Sequence, residues 1–105
     1  MTAQTDLIAE LVRAANTVSR LTVLERQRLL IRAYFAVVKG REEIDIHPAK
    51  ADTDSAIDLL SASKYSEDMT DEYIAEVLLD GAEMLRVIKI ALDAKDEVNS
   101  GGTRH

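Results

Sequence analysis

Ile74, Leu78, Gly81, Leu85, Ile88 and Leu92 recur at the spacing 4-3-4-3-4. That spacing is the seam of one helix lying along another. It constrains the fold more than any other feature, because it is incompatible with strand alternation and requires a partner helix. A second apolar row, Tyr73, Val77, Met84, Val87 and Ala91, runs beside the seam. The segment opens at Thr70, with Asp71 and Glu72 in a first turn whose dipole favours acids, and Asn99-Ser100-Gly101-Gly102 closes it. A helix is predicted over about 70–98, roughly 40 Å long at 1.5 Å per residue.

A partner of comparable length lies upstream. Thr22 and Glu25 fit a capping box, each side chain satisfying an orphan backbone N–H. Gly40 after Lys39 reads as the left-handed residue that stops a helix, which predicts a helix over about 22–39. Within it Val23, Leu24, Leu30, Ile31, Tyr34, Phe35, Val37 and Val38 cover close to half the circumference, more than a surface helix needs, so this helix is expected to be central. A first amphipathic helix is predicted from Asp6 to Ser19 with Thr5 as its cap. Leu7, Leu11, Ala14 and Val18 would face inward, flanked by Ile8, Val12 and Ala15. A short helix from Ser55 to Lys64 would bury Ile57, Leu59 and Leu60.

Between them, His47-Pro48 forbids a continuous helix. Glu43-Ile44-Asp45-Ile46-His47 alternates, but a lone strand has nothing to pair with inside the chain. Residues 41–53 are therefore expected to form an extended linker, with Arg41 to Ala51 the most mobile internal segment. The expectation is an all-α fold: a small bundle of three to four helices built on two long ones, with a central non-helical linker. Residues 1–98 would form one domain and 99–105 a flexible tail.

With 105 residues, 47% apolar and 30% charged, the chain is too hydrophobic to be disordered throughout. No apolar run approaches the roughly 20 residues that span a bilayer, and the opening MTAQTDLIAE lacks the pattern of a signal peptide. The absence of cysteine removes disulfides and thiolate metal sites. A cytoplasmic protein is expected. The net charge of −6 hides an asymmetry of +4 over residues 1–41 and −10 over 42–105, to be answered by internal packing or by a partner.

Catalysis has little to work with, so neither an enzyme nor a cofactor is expected. His47 sits beside proline and His105 ends a Gly-Gly tail, and both read as solvated. Glu43, Asp45 and His47 could share one side of an extended segment as metal ligands, but acidic linkers commonly look like this. Asp52, Asp54 and Asp58 fail the calcium-loop pattern, because Ile57 and Ser63 stand where it needs glycine and glutamate. Glu72, Glu76, Asp80 and Glu83 line one flank of the last helix. Magnesium-binding carboxylate rows draw on two helices, and the second helix offers only Glu25, so a solvated or salt-bridged face is expected, with Arg86 paired to Glu83.

Three classes of function remain. The first is a small acidic regulatory or adaptor protein acting by helix-to-helix contact with a protein partner, expected as a homodimer. Leu79 and Ile90 fall opposite the seam among Glu72, Glu76, Glu83 and Arg86. Two apolar anchors in an acidic rim have the make-up of a modest contact surface, for a second copy or for a basic amphipathic helix. The second class is an acidic inhibitor that mimics nucleic acid. The third is a DNA-binding regulator using Arg28, Arg32 and Lys39 on the second helix, disfavoured because phosphates repel a domain of this charge. Leu21-Thr22-Val23-Leu24-Glu25-Arg26 is similar to the first helix of LuxR-type helix-turn-helix domains. Gly40-Arg41-Glu42-Glu43 then stands where such a domain places its turn and recognition helix, and no family is assigned.

Overall fold

The computed structural model describes residues 3–44 and 50–103, with side chains over 5–44 and 56–94. All its regular structure is helical: α1 (Ala3–Asn16), α2 (Val23–Glu43), α3 (Lys50–Lys64) and α4 (Asp71–Thr103), with single 3-10 turns at Val18–Arg20 and Ser66–Asp68. The predicted all-α bundle built on two long helices is the fold observed.

The seam of α4 is the spine. Ile74, Leu78, Leu85 and Ile88 are buried as its spacing requires, joined by Val77, Gly81 and Ala82, while Leu92 is half-buried towards the overhanging end. α1 packs along α4 through Leu7, Leu11 and Ala14 as predicted, with Ile8 and Val12 flanking. Ala15, expected at the flank, is buried, and Val18, expected to face inward, lies past the end of α1 in the 3-10 turn and is only partly buried. On the other side α2 packs against both α3 and α4. Two caps fix where the long helices start. Thr22 and Glu25 form the predicted capping box, the Thr22 N–H donating to Glu25 Oε1 at 2.9 Å and the Glu25 N–H to Thr22 Oγ1 at 3.1 Å. At the head of α4 the Tyr73 N–H donates to Thr70 Oγ1 at 3.1 Å.

Several expectations are corrected. α2 does not stop at Gly40 but runs on to Glu43, and Gly40 is a buried helical residue against Ile88 of α4. A Cβ there would come within 2.6 Å of Ile88 Cγ2, so the glycine serves close approach and not a left-handed turn. α2 is also less enclosed than its composition suggests. It buries Leu29, Leu30, Ala33, Val37 and Gly40, and leaves Leu24, Ile31 and Phe35 exposed. The central helix is α4.

In α3 only one of the three large residues expected inside is buried. Leu59 is fully buried with Ala56, Ala62 and Ser63, whereas Ile57 and Leu60 are exposed. Small side chains let α3 approach α2 closely, so proximity and not size selects the inward face. α3 begins at Lys50, which shortens the expected linker to residues 45–49; these lie outside the described residues. At the other end α4 continues through Asn99–Gly102 to Thr103, because each added residue of a formed helix gains a hydrogen bond and no proline interrupts it. α1 starts at Ala3, placing Thr5 inside the helix instead of at its cap, and ends at Asn16. Thr17 then closes it by donating its N–H and Oγ1 to the Arg13 carbonyl at 3.1 and 2.9 Å.

Candidate interaction surfaces

The six residues predicted on the outside of α4 share one stripe. Glu72, Glu76, Leu79, Glu83, Arg86 and Ile90 again follow the spacing 4-3-4-3-4, displaced by about half a turn from the core seam, and all six are exposed. Leu79 is 45% exposed and Ile90 64%, with Val87 alongside at 57%. The cause lies in the packing: α1, α2 and α3 meet α4 on the Gly81 side, where a Cβ would lie 3.0 Å from Leu59, 3.5 Å from Ala33 and 3.8 Å from Leu11. Three helices converge there and leave the opposite face bare. Arg86 donates to Glu83 Oε2 at 2.7 Å, the predicted pair one turn apart.

The basic residues of α2 are put to more than one use. Arg28 and Lys39 are exposed. Arg32 bridges to α1, with Nη1 2.7 Å and Nη2 3.4 Å from the two carboxylate oxygens of Glu10. Arg26, its side chain only 11% exposed, ties three elements together. It lies 2.9 Å from Asp71 Oδ1 at the start of α4, and it donates to the Val18 carbonyl at 2.9 Å. Charge asymmetry is therefore met internally at Arg26–Asp71, while Glu72, Glu76, Asp80 and Glu83 remain on the surface.

Sequence reasoning missed a second surface. Leu24, Arg28, Ile31, Phe35, Val38 and Glu42 also follow 4-3-4-3-4 and lie on the side of α2 away from Leu29, Ala33, Val37 and Gly40. Phe35, the one phenylalanine in the chain, is 61% exposed. The signal that could have found it is the apolar arc of α2, broader than one buried face requires. Beside Phe35 an open cleft of about 460 Å³ runs between α2 and α1, lined by Leu7, Ile31 and Ala36 together with the charged Arg32, Lys39 and Glu43. A second cleft of about 310 Å³ lies further along, bordered by Glu10, Arg13, Arg28 and Arg32.

Among the described residues no group of three histidines or carboxylates could hold a metal, and Asp45 and His47 lie outside them. No helix among them is long and apolar enough to cross a membrane. The Glu25 carboxyl is held below its ordinary range by the Thr22 N–H and then by the Thr22 hydroxyl, as expected of a helix cap. No protein-family model, characterised protein or solved structure matches the chain.

Proposed function

We propose that this is a small acidic cytoplasmic regulatory or adaptor protein that acts by helix-to-helix contact, as a homodimer, and that the outer stripe of α4 receives a helix of another protein. The observation that supports this reading most directly is the pair Leu79 and Ile90, held exposed three helical turns apart on one face among Glu72, Glu76 and Glu83. An apolar strip in an acidic rim fits a basic amphipathic helix, whose cations would set orientation and encounter rate while the apolar anchors supply affinity. Isolated surface leucines are common, but two anchors and Val87 on one uncovered helix face form a patch.

DNA binding through Arg28, Arg32 and Lys39 is less well supported, because Arg32 is already neutralised by Glu10 and the net charge is −6. A mobility-shift assay at low salt with arbitrary duplex DNA is expected to show no complex; a salt-sensitive shift abolished by Arg28→Ala with Arg32→Ala would favour the DNA reading instead. The direct test is capture of the partner from host cells by the wild type and by Leu79→Glu with Ile90→Glu. The double variant is expected to keep its helical circular dichroism and lose the partner. A partner retained by that variant would place the contact elsewhere.

A further inference from the structure

The outer stripe of α2 is too apolar to be only a solvated face, and its charges are arranged symmetrically about its largest side chain. Arg28 and Glu42 stand seven residues to either side of Phe35, two heptad-like turns away in each direction, on the same stripe. Both are exposed, and among the described residues neither has an ion-pair partner within the chain. Ile31 and Lys39 likewise lie four residues to either side of Phe35.

We propose that this stripe is a self-complementary surface on which a second copy of the chain docks, α2 against α2 and antiparallel, with Phe35 at the two-fold axis. The charge arrangement selects both the occupant and its direction. An antiparallel pairing centred on Phe35 sets Arg28 against the partner's Glu42 and Glu42 against the partner's Arg28, and lays the aliphatic stem of Lys39 over the partner's Ile31. A parallel pairing would face Arg28 with Arg28 and Glu42 with Glu42, a repulsive arrangement. Ile31 and Phe35 leave water on both copies, and the open cleft of about 460 Å³ with Leu7, Ile31 and Ala36 in its wall adjoins the facing aromatic rings. Such an interface is isologous and closes at two copies. It does not use α4, so the dimer carries two outer stripes of α4, and the inference does not rest on what those stripes bind.

Light scattering after gel filtration, on the full chain at low salt, tests it. The wild type is expected at twice the 11.6 kDa chain mass. Phe35→Glu, Arg28→Glu and Glu42→Arg should each shift the mass to the monomer with helical circular dichroism intact. Combining Arg28→Glu with Glu42→Arg should restore the dimer, since the exchanged charges again face one another across the axis. Leu79→Glu with Ile90→Glu should leave the mass at the dimer, which separates this surface from the one on α4. A monomeric wild type, a dimer indifferent to Phe35→Glu, a combined charge exchange that stays monomeric, or a dimer dissolved by the α4 variant would each overturn the proposal. Growth beyond the dimer with concentration would also overturn it, because that is the behaviour of an α2-to-α4 contact that does not close.

Discussion

Two glycines inside helices set how closely the bundle packs, and they differ in what surrounds them. At Gly40 an added Cβ would meet Ile88 Cγ2 at 2.6 Å and Cδ1 at 3.3 Å. Ile88 is buried and β-branched, so its χ1 cannot swing that methyl aside. At Gly81 the tightest approach is 3.0 Å to Leu59 Cδ2, a terminal methyl. Alanine in a helix interior gains about 0.8–1.0 kcal/mol over glycine, whereas overpacking costs about 1–3 kcal/mol. Gly40→Ala is therefore expected to destabilise by about 1–2 kcal/mol in denaturant unfolding, and Gly81→Ala to change stability less. In an Ile88→Ala background the clash is gone, and Gly40→Ala should become neutral or stabilising. An unchanged cost in that background would mean that Ile88 is not what Gly40 makes room for.

At the scale of the element, α2 owes its sharp start to the pair Thr22 and Glu25. Loss of such a cap by Thr22→Ala is expected to cost about 0.5–2 kcal/mol at neutral pH. The Glu25 carboxyl titrates lower in the folded chain than in the unfolded one, so its contribution is complete above the ordinary carboxylate value of 4.5 and is lost as pH falls through the depressed folded value. The difference in melting temperature between wild type and Glu25→Ala should accordingly be greatest near neutrality and shrink in acid. A difference that stays constant into strong acid would show that the carboxylate is not the capping group. At the head of α4, Thr70 takes the same role for the Tyr73 N–H, and the Arg26–Asp71 bridge connects the two capped starts.

For the whole molecule, α4 sets the dimensions. Its 33 residues account for most of the 55 Å long axis, at 1.5 Å per residue, of a body only 30 Å and 17 Å across. A shape this flat has few fully enclosed residues, so stability concentrates in those along the α4 seam. Leu85 is fully buried there, and Leu85→Ala is expected to cost about 2–5 kcal/mol from a total that for domains of this size is about 5–15 kcal/mol. A melting temperature close to that of the wild type would mean that the seam is not the main core. The same flatness leaves one face of α4 and one of α2 without a covering helix, which is why both proposed contacts lie on the outer surfaces of the long helices.

Local rules were sufficient to read the sequence wherever one helix decides its own fate. The 4-3-4-3 seam from Ile74 to Ile88, the capping box at Thr22, the inward face of α1 at Leu7, Leu11 and Ala14, the Glu83–Arg86 pair and the acidic outer stripe of α4 all depend on residues three or four apart, and the structure has each of them. Tertiary structure decided what depends on distance between helices. Whether Gly40 ends a helix or admits a neighbour is set by Ile88, far along the chain. Whether Ile57 and Leu60 or Ala56 and Ala62 face inward is set by how near α3 lies to α2. Whether the broad apolar arc of α2 is enclosed on both sides is set by where α1 packs, and it packs along α4, leaving Phe35 at the surface. Helical periodicity records which residues share a face. It carries no record of which face finds a partner, because that is settled by competition among all four helices for the side of α4 that Gly81 leaves open.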